Sequence, residues 1–167
     1  MMTPSPSEVL TATVWIFGDN VSTDEIIAGR RLAERDIQKL AKFAFENSKE
    51  EFGVRVKGGD VIVAGRNFGC GSSREQAVLV LKVLGINLIL AESFGRIFFR
   101  NCVNNGILPL KLKASLKTKL KDGDAVLIDL KQNRITTSGI TTEFEKPPEL
   151  LYRIWAAGGL IEYLKKL

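Results

Sequence analysis

The chain contains no histidine. Without an imidazole it cannot assemble a Ser-His-Asp or Cys-His group from its own residues. Any proton transfer in which it takes part must use another base, or groups supplied by a second polypeptide. Cysteine is scarce too: Cys70 and Cys102 are the only two. They lack the close spacing of a zinc or redox pair, so each reads as a thiol rather than a disulfide partner. They are also too few to hold an iron–sulfur cluster through three or four thiolates. No apolar run approaches a membrane span, and the N-terminal MMTPSPSEVL lacks the basic and apolar regions of a signal peptide. A cytoplasmic location with no membrane contact is the expectation. The chain also lacks the interleaving of aromatic and basic residues that stacks on bases, so the net charge of +5 is not read as a nucleic-acid footprint. Many lysines belong to KLKASLKTKLKDGD and to YLKKL, where they read as solvated faces. A positive field serves equally well to attract small di- or tricarboxylates.

What is present is an ordinary globular composition, 45% hydrophobic and 26% charged over 167 residues, enough for one domain with a real core. The expected organisation is a single domain over 1–167, with a flexible Pro- and Ser-containing N-terminus over 1–10 and a helical element over 148–167. TATVWIF (Thr11 to Phe17) reads as a strand ended by GDN, with a long loop from Gly18 to Arg30 behind it. Ile37, Leu40, Ala41, Ala44 and Phe45 recur at helical spacing, predicting a helix from Asp36 to about Asn47. DVIVAG (Asp60 to Gly65) and NLILAE (Asn87 to Glu92) are short continuous apolar runs, as expected of strands covered on both faces. SREQAVLVLKVLG between them reads as a helix stopped by Gly85, which makes a parallel strand–helix–strand unit. GRIFFRNCVNNG predicts a further helix, ILPLKL a strand, and AVLIDL with NRITT a hairpin around Lys131 to Asn133. The C-terminal helix is broken at Gly158 and Gly159. The fold class is therefore α/β.

The stretch AGRNFGCGSSREQA, Ala64 to Ala77, joins a buried strand to a helix, the place where open α/β sheets bind ligands. Glycines there let a ligand approach the backbone, and free N–H groups at the helix start attract anions. It is not a P-loop, because Ser72 follows Gly71 with no lysine between them. Nor is it a dinucleotide fingerprint, whose third small residue is replaced by Arg74. SSRE also fits a capping box, with Ser72 as the cap and Glu75 returning its hydrogen bond. Against capping alone stands Arg74, a cation in the first turn that opposes the helix dipole unless an anion is near.

In this order, FGDNVSTDEIIAGR, VIVAGRNFGCGSSREQA and AESFGRIFFRNCVNNGILPL resemble the small subunits of the isopropylmalate dehydratase family, which are similar to the swivel domain of aconitases. The resemblance covers Trp15 to Leu110 with specific motifs and the remainder more loosely. It implies a three-layer β/β/α swivel-type domain and a hydro-lyase that isomerises a hydroxyacid by dehydration and rehydration. It implies a separate large subunit holding a four-iron four-sulfur cluster through three cysteines, in a heterodimer or heterotetramer, with no cofactor or metal bound by this chain. Carried over by position, Ser72 matches the general base, Ser73 and Arg74 match carboxylate-binding positions, and the amides around Gly71 and Ser72 would stabilise the alkoxide. Asp24 matches an acidic residue that orients a partner histidine, although STD alone reads equally as an Asx-type turn or cap. The segment Arg30, Arg31, Leu32, Ala33 matches the loop that senses the substrate's variable group. Ala33, standing where homoaconitase-like members place an arginine, favours an apolar group. Arg31, Glu34 and Arg35 also read as solvated charges.

The implied function is the isomerisation of 2-isopropylmalate to 3-isopropylmalate in leucine biosynthesis. The alternatives are a homoaconitase-type or broad-specificity small subunit and, from another class, a stand-alone anion-binding module. Cys70 reads as a small residue tolerated between glycines, or as a reactive thiol. Arg96, Arg100 and Asn101 are expected to anchor local structure or a subunit interface.

Overall fold

In a computed structural model the described residues are 8–167; of the N-terminal residues expected to be flexible, 1–7 lie outside them. Strand β1 (Val9–Ile16) starts earlier than the expected Thr11, because Val9 and Leu10 pair with Asp129 and Ile128. Its sequence changes pattern part-way along. Ala12 is buried between exposed Thr11 and Thr13, whereas the neighbours Val14 and Trp15 are both buried. The partner changes at the same place: Val9 to Thr13 pair antiparallel with β5 (Ala125–Asp129), and Val14 to Ile16 pair parallel with β2 (Val61–Ala64). Alternating exposure suits an antiparallel strand with one wet face, and two-sided burial suits a parallel one.

β3 (Leu88–Ala91) and β4 (Leu108–Lys111) extend the parallel half, and β6 (Arg134–Thr137) and β7 (Ile140–Glu143) extend the antiparallel half, in the order β4-β3-β2-β1-β5-β6-β7. The sheet curls until Leu112, just past β4, bridges Phe144, just past β7. Alternate residues of β2 and β3 therefore enter different cores. Ile62, Ala64, Ile89 and Ala91 pack with the helical layer, while Val61, Val63, Leu88 and Leu90 pack with Val126, Ile128 and Ile135 of the antiparallel half. These are the expected β/β/α layers.

The helical layer holds α1 (Thr23–Ile26), α2 (Ile37–Ala41), α3 (Phe52–Arg55), α4 (Glu75–Val83) and α5 (Arg96–Asn104). The helix expected over Asp36 to Asn47 is shorter than its pattern. Asp36 caps it through Gln38 N at 2.9 Å, but after Ala41 the chain turns, and Phe45 takes a φ of 56°. The Phe45 N–H donates to Ile26 O at 2.9 Å rather than to Ala41, and its ring packs on Phe17 and Phe52. Tertiary packing overrides the local period here. β7 was not expected: Ser138 and Gly139 form a two-residue turn with φ of 37° and 83°, which suits a tight hairpin, and Thr136 and Thr141 hydroxyls meet across it at 3.1 Å. The C-terminus forms α6 (Glu149–Ala157) and α7 (Leu160–Leu164), separated at Gly158 and Gly159. Trp155 anchors α6 by donating from Nε1 to Asn87 O at 2.9 Å.

Candidate functional site

Because β1, β2 and β3 run parallel where they end, their following loops emerge at one edge and continue to pair. Gly65 N donates to Gly18 O, Asn20 N to Arg66 O, Gly69 N to Val21 O and Thr23 N to Cys70 O, at 2.7 to 3.1 Å. The third loop joins through Glu92 N to Gly65 O, Phe68 N to Ser93 O and Gly95 N to Phe68 O. Gly69 is required: its φ is 76°, and a Cβ there would lie 2.1 Å from Cγ of Phe98, a core ring. A charged pin closes the base of these loops. The Asp19 carboxylate accepts from Arg66 N at 2.7 Å and pairs with Lys117 Nζ at 2.5 Å. The Lys117 hydrogen bond foremost, then that from Arg66 N, holds its carboxyl down at about 2.

Ser72 lies at the tip of the glycine loop with its side chain exposed. Among the described residues its side-chain hydrogen-bond partner is Thr23: the hydroxyls are 3.2 Å apart, and Thr23 Oγ1 also donates to Ser72 O at 3.0 Å. Thr23 is buried, so it is the fixed partner and Ser72 the presented one. The amides of Gly71, Ser72 and Ser73 donate to no acceptor among the described residues. Ser73 is exposed beside them. The capping box is not formed. Helix α4 begins at Glu75 with Arg74 in the cap position, and the Glu75 carboxylate accepts from Asn105 Nδ2 at 3.2 Å instead of reaching back. Gly71, at φ 93°, and the hold of Thr23 turn Ser72 away from the helix start.

Arg74 therefore stands before the first turn, not in it. Its Nη1 donates to Asp24 Oδ1 at 2.5 Å and to Ile27 O at 3.3 Å. Nη2 and Nε have no acceptor among the described residues, which leaves one edge of the guanidinium for a carboxylate. Ser22, not Asp24, caps α1, by accepting from Glu25 N at 3.1 Å. Asp24 accepts from Gly29 N at 3.1 Å, and the hydrogen bond from Arg74 holds its carboxyl below the ordinary range. Its side chain is 65% exposed, so one oxygen remains open to an outside donor. Arg30 and Arg31, in the turn after Gly29, are not free solvated charges, since both pair with Glu46. Leu32 packs against the helical-side core and Ala33 is exposed.

Cys70 is half-buried, with its Sγ 3.5 Å from Asn20 O, and Cys102 is fully buried, which pushes its thiol well above the ordinary range. Among the described residues no three His, Cys, Asp or Glu side chains gather as a metal cage, so the donor set does not fit a cluster held by this chain alone. Arg96 and Arg100 do not anchor local structure: both are exposed, and their side chains make no hydrogen bond or ion pair with described residues. They line a depression of about 380 Å³ beside Gly69, Cys70 and Gly71. Sequence reasoning missed Thr23, Lys117 and Glu46. A buried threonine next to Asp24 was visible as STD, but nothing local marks Lys117 or Glu46, which act from 98 and 16 residues away.

Comparison with known proteins identifies relatives along most of the chain. The family described as the aconitase C-terminal domain matches residues 17–115. The chain is 43% identical to the 3-isopropylmalate dehydratase small subunit 1 of Methanopyrus kandleri, over 95% of this chain and 94% of that protein. It is 49% identical to the methanogen homoaconitase small subunit of Methanocaldococcus jannaschii, over 90% and 88% of the two. The crystal structure of 3-isopropylmalate dehydratase (leuD) from Methanocaldococcus jannaschii superposes with a TM-score of 0.87 at 46% identity, covering 95% of each chain.

Proposed function

The chain belongs to the aconitase C-terminal domain family, and on that premise we propose that it is the small subunit of a heteromeric hydro-lyase that converts 2-isopropylmalate to 3-isopropylmalate. One observation carries the reading: an exposed serine hydroxyl, loop amides without an acceptor among the described residues and the open edge of an arginine lie within one four-residue stretch, Gly71 to Arg74, beyond the end of a parallel strand.

In this reading Ser72 first loses its hydroxyl proton to solvent and then, as the alkoxide, removes the proton from the carbon beside a substrate carboxylate, returning to the hydroxyl. A serine is a weak base, so its alkoxide needs stabilisation before the proton arrives. The amides of Gly71 and Ser72, without an acceptor among the described residues, are the proposed donors to it, and Thr23 can swing its hydrogen from Ser72 O to the alkoxide oxygen 3.2 Å away. Arg74 binds the carboxylate through its Nε and Nη2 edge, and Asp24 keeps the guanidinium aimed by holding Nη1. Ser73 supplies a hydroxyl and an amide to the same carboxylate. The open oxygen of Asp24 orients a donor from the partner.

The partner is a large subunit that carries the four-iron four-sulfur cluster, the Lewis acid of this reaction class. Cys70 and Cys102 contribute nothing to it. No helix among the described residues is long and apolar enough to cross a membrane, and the pair is proposed to work in the cytoplasm on leucine biosynthesis. A second reading, a homoaconitase-type or broad-specificity subunit, is favoured by the 49% identity to a homoaconitase small subunit and disfavoured by Ala33 in the side-group loop. Mixing the chain with a cluster-loaded large subunit tests the proposal. Turnover of 2-isopropylmalate is expected only when both chains are present, and tight anion binding without turnover would point to a stand-alone binding module.

A further inference from the structure

Arg30 and Arg31 adjoin the carboxylate clamp. They follow Gly29, whose N–H meets Asp24 and whose Cα would place a Cβ 3.2 Å from Arg74 Nη2. Arg30 lies close enough to Asp24 to help lower its carboxyl. Two cations next to Arg74 would make a site for several carboxylates, yet neither guanidinium is free. Glu46 Oε2 accepts from Arg31 Nη2 at 2.7 Å and from Arg31 Nε at 3.1 Å, and Glu46 Oε1 accepts from Arg30 Nη2 at 2.7 Å. Arg31 also lies over the Phe43 ring at 3.7 Å, and Arg30 donates to Asn47 Oδ1 at 3.1 Å. The Glu46 side chain is only 15% exposed, so it is a fixed counter-ion rather than a passing surface partner.

We infer that Glu46 is a specificity-determining residue: by holding Arg30 and Arg31 it withdraws both charges from the bound hydroxyacid, so that the space beside Arg74 takes an apolar side group rather than a further carboxylate. This rests on the functional reading above. A guanidinium fork that has lost its carboxylate turns to the nearest other one. With Glu46 neutral, the two adjacent arginines lose the carboxylate that holds them both, and a carboxylate on the substrate's side group can compete for them.

The test uses the assembled two-subunit enzyme and two substrates, 2-isopropylmalate and homoaconitate, which differ in carrying an apolar or a carboxylate-bearing side group. Glu46→Gln is expected to move the kcat/KM ratio toward the carboxylate-bearing substrate by about tenfold, the size of one charge-assisted hydrogen bond, chiefly through its KM. Adding Arg30→Gln and Arg31→Gln to that variant should return the ratio, which a merely structural role for Glu46 would not predict. If the Gln variant fails to assemble, Glu46→Asp keeps the charge but is too short to hold both arginines, and should shift the ratio in the same direction by less. An unchanged ratio in an active variant overturns the role given to Glu46. Absence of 2-isopropylmalate turnover by the unmodified pair overturns the functional reading instead.

Discussion

Replacing Thr23 by valine removes one oxygen from a buried side chain of nearly the same shape, and so isolates what its hydroxyl does for Ser72. The hydroxyl makes two contacts, to Ser72 O at 3.0 Å and Ser72 Oγ at 3.2 Å. Neutral hydrogen bonds of this kind contribute about 0.5–1.5 kcal/mol each, and water can replace Thr23 at the exposed Ser72, so the stability loss should be about 1–2 kcal/mol. For a domain of this size that lowers Tm by roughly 2–4 °C per kcal/mol. The effect on chemistry should be larger. If the same hydroxyl donates to the Ser72 alkoxide, a charge-assisted bond of about 1.5–3 kcal/mol is lost from the transition state, and kcat falls about 10- to 100-fold with little change in KM. Thr23→Ser keeps the oxygen and should recover most of kcat while still losing the packing of a methyl group. Thermal melts and steady-state kinetics of the assembled enzyme read both effects. A Thr23→Val enzyme that melts lower but turns over normally would refute the proposed hold on Ser72.

Acid should weaken the pin at the base of the loops. Asp19 has its carboxyl at about 2 in the folded chain against an ordinary value of 3.8. A carboxyl depressed on folding adds stability that is fully present above its unfolded value and is lost as pH falls through the folded one. Between about pH 4 and pH 2 the melting temperature of the wild type should therefore fall more steeply than that of Asp19→Asn, and parallel curves would contradict this. In the glycine loop, Gly69→Ala drives a methyl group to 2.1 Å from a core ring at a φ of 76°, and should cost about 2–4 kcal/mol in urea denaturation. Gly71→Ala meets nothing closer than 3.8 Å and carries only the penalty of its φ of 93°, about 1 kcal/mol. Equal losses would show that the close approach of Phe98 is misread.

Much of the parallel half was legible because its signals are local. VIVA and LILA are apolar throughout and bounded by turn residues, and the helix between them stops at a glycine with φ 87°. The antiparallel half was only partly legible. TTSGITT carries a hairpin signal in its Ser-Gly pair, but the strand after it is short and half-exposed, so its pattern is weak until it pairs with β6. The helix expected over Asp36 to Asn47 failed for a different reason. Phe45 satisfies the helical period and also fills the aromatic cluster with Phe17 and Phe52, and the second demand prevails.

At the site the residue types were legible and their partners were not. SSRE announces both a capping box and an anion loop, and the turn at Gly71, the position of Thr23 across the loop and the pairing of Glu75 with Asn105 decide against the cap. The sequence likewise shows Arg30, Arg31 and Arg74 as three cations in two loops. Which acid neutralises which depends on folds that bring Asp24 to Arg74 and Glu46 to the other two. Ion pairs of this kind follow from the layers, and the layers follow from strand order.

The central claim is that Ser72 is the base, and the most direct measurement is exchange and isomerisation followed by proton NMR in deuterated water. The assembled enzyme with Ser72→Ala should keep its subunit contacts and its affinity for substrate. It should lose at least about 10²–10⁴-fold in both incorporation of deuterium beside the carboxylate and formation of 3-isopropylmalate. Near-normal rates in that variant would contradict the account, because Ser72 is the loop hydroxyl that Thr23 holds, whereas Arg74 is a cation and Ser73 has no side-chain partner among the described residues.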